Sequence, residues 1–259
     1  MTDLNVFLST PILQPLDQDR AAALLSAPPF VLVPGVVNIR DIGGLALNSN
    51  STDAIPLVVR KGRLYRAATL NDIAPEGKDA LRSLNIGAVF DLRTLREVRK
   101  SANIAPGDLD PRAGLVDLTS EGELEKDGIE VYHVPLVDST KQDERQEFAK
   151  LLRYGNGDDG FVEAYAEMLE SGAQSYGTIL RYIVEQAKEG TEGKACLWHC
   201  HGEYLLGCNE ERSYALSQAG KDRTGVFSAL LLEVMSSTMA SFTIANIRNC
   251  SCWVFLTKP

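Results

Sequence analysis

Two short runs hold the residues whose types could do chemistry together. The first is Cys196-Leu197-Trp198-His199-Cys200-His201, and the second is Ala219-Gly220-Lys221-Asp222-Arg223-Thr224-Gly225. As written, 22 residues stand between Cys200 and Arg223. Removing Gly202–Gln218 leaves Cys-x5-Arg-Thr and the text His-Cys-His-Ala-Gly-Lys-Asp-Arg-Thr-Gly, with nothing else altered.

That joined text fits a strand, a tight loop and a helix whose backbone N–H groups converge on a phosphate. His201, Ala219, Gly220, Lys221 and Thr224 are the expected phosphate-binding positions, with Gly220 allowing close backbone approach. Arg223 supplies a planar, two-pronged grip on phosphate oxygens. The same amides and Arg223 are expected to lower the Cys200 pKa, giving a thiolate that attacks phosphorus and forms a covalent intermediate. Thr224 is placed to hydrogen-bond the departing sulfur. A general acid must protonate the leaving oxygen, and Asp91 and Asp222 are the candidates. Asp91 takes precedence because it closes a predicted strand, where sites of open α/β sheets lie. Each has a plainer reading: Asp91 pairs with Arg93 or Arg66, and Asp222 braces the loop. No metal or cofactor is called for. A nucleotide P-loop fails at two positions, since Asp222 follows Lys221 and Ala215 stands where glycine is needed.

The block Gly202–Gln218 reads as a translated intron. Gly202-Glu203-Tyr204 can be encoded with a GTGAGT donor, and Gln218-Ala219 with an AG acceptor in the same phase. A second anomaly begins at Val234-Met235, after which the text to Pro259 loses the character of the preceding helix. Closing a 17-residue excursion costs only about 2.5 kcal/mol. Keeping His201 and Ala219 as neighbours in a ring of inward amides is the harder demand, so impaired turnover is expected of the chain as written.

The elements that must position these residues alternate between strand and helix. Asp17–Leu25 reads as a short helix stopped by Pro28-Pro29, and Gly43-Gly44 as a turn. Leu57–Arg60 and Arg63–Ala67 read as strands, and Pro75–Leu84 as a helix with proline and acid in its first turn. Ile86–Arg93 is a buried-type strand, residues 100–128 a surface loop, and Ile129–Leu136 an alternating strand. Phe161–Ala187 has the spacing of two amphipathic helices broken near Ser171-Gly172. Ala195–Trp198 is a last strand, and Arg223–Glu233 an apolar helix. The alternation predicts one α/β domain over 1–259 with a mostly parallel sheet flanked by helices.

Hydrophobic residues make up 44% of the chain, an ordinary globular value. A net charge of −9 argues against nucleic acid or an anionic membrane as the main partner, so an anion site must be a local basic pocket. No apolar run reaches the length of a membrane span, and Met1-Thr2-Asp3-Leu4 lacks a basic leader. Cys196 and Cys200 alone suggest no disulfide framework. The reading is a reduced cytoplasmic protein, with the nucleus as the alternative location.

The joined signature, with Asn38-Ile39-Arg40-Asp41-Ile42-Gly43-Gly44, Gly62-Arg63-Leu64-Tyr65-Arg66-Ala67 and Phe90-Asp91-Leu92-Arg93-Thr94-Leu95-Arg96-Glu97, resembles the microbial and fungal tyrosine phosphatase family. The resemblance covers 36–201 and 219–233, leaving 202–218 and 234–259 outside it. It implies the cysteine-phosphatase fold, a C-terminus truncated of further helices, and hydrolysis of phosphotyrosine. Phosphoserine, phosphothreonine and phosphoinositides are further substrates it implies, with Lys221 favouring highly charged head groups. The alternative is a pseudophosphatase that binds phosphorylated partners without turnover.

Overall fold

The computed structural model describes residues 18–47, 58–101, 122–136, 157–200, 220–241 and 256–257. In chain order the elements are α1 (Gln18–Leu25), β1 (Arg40–Asp41), β2 (Val58–Val59), β3 (Leu64–Ala67), α2 (Pro75–Ser83), β4 (Ile86–Asp91), α3 (Leu95–Ser101), α4 (Gly122–Lys126), β5 (Glu130–His133), α5 (Gly157–Ser171), α6 (Ala173–Lys188), β6 (Ala195–His199), α7 (Asp222–Ser241) and β7 (Leu256–Thr257). The main sheet runs β1-β3-β6-β4-β5. Strands β3, β6, β4 and β5 are mutually parallel, and β1 closes one edge antiparallel to β3. The fold is therefore α/β with a mostly parallel central sheet, as the strand–helix alternation predicts.

Register decides where chemistry can occur. Ala67 pairs with His199, His199 with Asp91, and Asp91 with His133. The four C-terminal strand ends thus form one row, the edge at which parallel sheets place their ligands. Both faces of the sheet are covered, which is why its strands read as continuous apolar runs. Leu64, Phe90 and Trp198 point to the side packed by Tyr176, Ile179 and Ile183 of α6 and Phe227 and Leu231 of α7. Tyr65, Val89 and Leu197 point to the other side, against Leu81 of α2 and Leu124 of α4.

Several boundaries differ from the sequence reading for identifiable reasons. Residues 100–128 are not wholly loop: α3 reaches Ser101, and α4 lies inside the span, where Leu124 is fully buried against the β4–β5 side. One leucine among acidic and glycine residues anchors that turn, a signal composition hides. The last helix continues past Glu233 to Ser241, since no residue from Val234 to Ser241 is glycine or proline. Beyond it, Leu256–Thr257 pairs antiparallel with Val58–Val59 in a separate two-stranded sheet. The predicted break at Ser171-Gly172 falls between α5 and α6. Among the described residues, no helix is long and apolar enough to cross a membrane.

Candidate active site

Strand β6 delivers Cys200 to the C-terminal edge, one residue beyond His199. Helix α7 delivers Arg223 and Thr224 from the opposite direction. The two runs meet: the Cys200 Sγ accepts a hydrogen bond from the backbone N–H of Thr224, and Arg223 lies within electrostatic reach of the sulfur. Trp198 ties strand to helix by donating from Nε1 to the Thr224 carbonyl at 3.2 Å. Gly220, Lys221, Asp222, Arg223 and Thr224 are thereby assembled beside Cys200. His201, Ala219 and the block 202–218 lie outside the described residues.

The loop before α7 is braced from within and from β3. Gly220 adopts φ +52°, a region that favours glycine. A Cβ there would collide with the Ala67 carbonyl and the Ala68 backbone at the end of β3. The Thr224 hydroxyl donates to the Gly220 carbonyl at 2.7 Å, so its role is to close the turn; the backbone N–H, not the hydroxyl, reaches the sulfur. Arg66 donates from Nε to Thr224 Oγ1 at 3.2 Å and from Nη2 to the Lys221 carbonyl at 2.6 Å. The Lys221 residue itself is exposed.

Arg223 is gripped by Glu97, with Nη1–Oε2 at 2.7 Å and Nη2–Oε1 at 2.6 Å. Glu97 is held in turn by Thr94, whose N–H and hydroxyl both donate to Oε2 at 2.8 Å, while the Glu97 N–H donates back to Thr94 Oγ1 at 3.3 Å. This is a capping box at the start of α3. Sequence reasoning passed over Glu97 as a site residue, although Thr94-x-x-Glu97 was a readable signal for the local turn.

The electrostatics differ from the expectation of a ready thiolate. Burial pushes the Cys200 thiol up, and Arg223 and the Thr224 N–H, which pull the other way, do not outweigh it. Glu97 and Asp222 add to the upward push. Much of the positive charge of Arg223 is answered by Glu97. Burial lowers the Arg223 pKa, but Glu97 and then Cys200 more than reverse that. Glu97 itself is lowered: burial opposes its ionisation, and Arg223 and Thr94 overcome it.

The two candidate acids stand in contrasting places. Asp91 is 2% exposed, and Arg93 donates to both its oxygens, from Nη2 to Oδ2 at 2.7 Å and from Nε to Oδ1 at 2.8 Å. Arg93, wholly buried, is completed by Thr69 Oγ1 and Asn71 Oδ1. Burial pushes the Asp91 carboxyl up, while His199 and Arg93 pull it down to about 2. Burial also drives His199 down to about 3, leaving it neutral, so Arg93 is the partner that sustains the charge. Asp91 is thus held in a buried ion pair with Arg93, the plainer of the two readings its place in the sequence allows. Asp222 opens α7 beside the loop, and Tyr165 of α5 donates to its Oδ1 at 2.7 Å.

The profile of the tyrosine phosphatase family matches residues 31–202, and the chain belongs to that family. The match ends two residues beyond Cys200, at the first residue of the intervening block. The chain is 27% identical over 211 residues to the triple specificity protein phosphatase PtpB of Mycobacterium tuberculosis, an alignment covering 78% of this chain and 63% of that protein.

Proposed function

We propose that this protein is a cysteine-dependent protein tyrosine phosphatase acting through a cysteinyl-phosphate intermediate. The observation that carries the reading is the meeting of Cys200 Sγ with the Thr224 N–H at the N-terminus of α7, with Arg223 alongside. The Cys200 thiolate attacks phosphorus, and the bond from phosphorus to the ester oxygen breaks. Asp222 gives its proton to the departing phenolate oxygen, then takes one from the water that hydrolyses the S–P bond, releasing inorganic phosphate. Gly220, Lys221 and the amides flanking the loop hold the equatorial oxygens, with His201 and Ala219 completing the ring. The proposed substrates extend to phosphoserine, phosphothreonine and phosphoinositides, in keeping with the triple specificity for which the mycobacterial relative is named. The location proposed with this activity is the cytoplasm.

The competent form, in this proposal, lacks Gly202–Gln218, and its phosphatase core is 36–201 joined to 219–233. The family match stopping at Gly202 supports this. Sequencing of cDNA across codons 195 to 240 tests it, and a continuous transcript with a peptide from the block would overturn it. The activity is tested by phosphate release from a phosphotyrosine peptide, with Cys200→Ser as the control. The form lacking the block is expected to turn over and the full chain to do so weakly or not at all. Neither the family match nor the mycobacterial relative favours the pseudophosphatase alternative. Phosphopeptide binding without release by both forms would establish it.

A further inference from the structure

Asp222 is the first residue of α7, and its charge acts on the Cys200 sulfur. An acid at that place has an ordinary use without chemistry, since the helix dipole favours negative charge in the first turn. That use is met by a carboxylate in water and calls for no side chain from elsewhere. Asp222 has one nevertheless. The Tyr165 hydroxyl, on α5 and 57 positions away in the chain, donates to Oδ1 at 2.7 Å.

Tyr165 is itself fixed from two sides. Its ring packs against the buried cluster that includes Tyr176, Trp198 and Phe227. Phe161, one turn earlier on α5, meets it edge-on with ring centroids 5.9 Å apart. With the ring so placed, the hydroxyl has little freedom to lose when it bonds to the carboxylate. The backbone just before Asp222 is held separately, by Arg66 Nη2 donating to the Lys221 carbonyl at 2.6 Å. Main chain and carboxylate are therefore secured by different residues, one from β3 and one from α5. Bracing the loop needs only the first. The second turns the carboxyl group, and its direction matters where a proton must leave from a defined atom. An oxygen that faces a donor hydrogen is the poorer place for the acid's own proton, so Oδ1 is disfavoured and Oδ2 carries it.

We propose that Tyr165 is a positioning residue for the acid step, holding the Asp222 carboxyl by Oδ1 so that Oδ2 delivers the proton to the leaving oxygen. This rests on the reading of Cys200 as the nucleophile and Asp222 as the acid. As the Sγ–P bond forms and the bond from phosphorus to the ester oxygen breaks, the proton passes from Oδ2 to the departing oxygen. Tyr165 keeps its own proton, and its bond to Oδ1 strengthens as the carboxyl takes on charge. When water attacks phosphorus and the S–P bond breaks, a proton returns to Oδ2, and Tyr165 again neither gains nor loses one.

The test compares kcat/KM for a phosphotyrosine peptide with kcat/KM for para-nitrophenyl phosphate, whose leaving group departs as an anion. Parent, Tyr165→Phe, Asp222→Asn and the double variant are measured, as the full chain and the form lacking Gly202–Gln218 side by side. Tyr165→Phe keeps the ring and removes only the hydroxyl. It is expected to lower the peptide value about five- to tenfold and the nitrophenyl value less than about twofold. Added to Asp222→Asn, it is expected to change the peptide value by less than about twofold, because no acid is left to position. Thermal melts establish that each variant is folded. The ratio of the two substrates is taken within one preparation, so incomplete folding lowers both values alike and leaves the ratio readable. A leaving-group-dependent loss in Asp222→Asn, with both substrates unaffected or equally slowed in Tyr165→Phe, overturns the positioning role and leaves Asp222 as the acid. Losses that multiply in the double variant also overturn it. No leaving-group-dependent loss in Asp222→Asn removes the acid reading and the role of Tyr165 with it. Failure of both forms of the parent to turn over either substrate removes the phosphatase reading and this inference together.

Discussion

Glu97 occupies both Nη atoms of Arg223 through its two carboxylate oxygens, at 2.6 and 2.7 Å. The pair fixes the guanidinium plane, yet it also draws on the charge that would otherwise favour a Cys200 thiolate. Glu97→Gln is therefore expected to raise the rate of Cys200 alkylation by iodoacetamide at pH 7 by about three- to tenfold, since one unit of thiol pKa is about tenfold in thiolate. In the parent protein the labelling should be slow at pH 7 and rise as the pH is raised. The same variant should lose about 2 kcal/mol of stability, because a partly buried guanidinium is left without its carboxylate. Peptide mapping of the labelled thiol decides the first point. An unchanged rate would detach Glu97 from control of the nucleophile.

Asp222 and Asp91 should separate cleanly by kind of defect. Asp222→Asn is expected to lower kcat for phosphotyrosine by about 10²- to 10⁴-fold. The loss should be far smaller for an aryl phosphate whose leaving group needs no proton. Asp91→Asn should act on folding, because it leaves the wholly buried Arg93 without its counter-charge, at a cost of about 3–5 kcal/mol. A leaving-group-dependent loss of kcat in a folded Asp91→Asn would return the acid role to Asp91.

Acid should weaken the fold in two successive windows. His199 has its pKa depressed to about 3 by burial, so the unfolded chain binds its proton first and stability falls as pH drops below the ordinary histidine value of about 6.5. Asp91, held at about 2, contributes stability that is present above its ordinary value of about 4 and lost as pH falls from there toward 2. Urea midpoints should correspond to a loss of about 2 kcal/mol between pH 7 and pH 5, and His199→Gln should flatten that limb while leaving the one below pH 4. A limb that survives in His199→Gln would assign it to other groups.

The sheet was legible because burial on both faces writes itself as apolar runs: Ile86–Asp91 and Ala195–His199 are uninterrupted, and their ends carry Asp91 and Cys200. That Cys200 and Arg223 belong side by side was legible from residue type once the block between them was set aside. What stayed hidden was who partners whom. Nothing in Asp91-Leu92-Arg93 says that the arginine folds back on the aspartate across two residues, which turns a candidate acid into a buried ion pair. Nothing in the sequence joins Glu97 to Arg223, because its capping role is local while its grip on Arg223 spans 126 positions. Arg40 and Arg66 belong to separate motifs in the sequence and become one charged pair only through the β1–β3 register. The raised Cys200 thiol was missed for a related reason: the amides and arginine were readable, and the depth of burial was not.

Gly220 supplies a direct test of how tightly the loop is held to β3. Its φ of +52° and the collision of any Cβ with Ala67 and Ala68 are separate obstacles to substitution. Gly190, at φ +67°, has the first obstacle alone, since a Cβ there meets nothing within 4 Å. Gly190→Ala should therefore cost only the backbone term, about 1 kcal/mol. Gly220→Ala should cost about 1–3 kcal/mol more, because the Cβ forces the backbone away from Ala67. It should also abolish phosphopeptide binding, since the loop would carry the Lys221 and Asp222 amides away from Cys200. Equal melting temperatures for the two variants, with binding retained in Gly220→Ala, would mean that the loop can withdraw from β3 without disturbing the site.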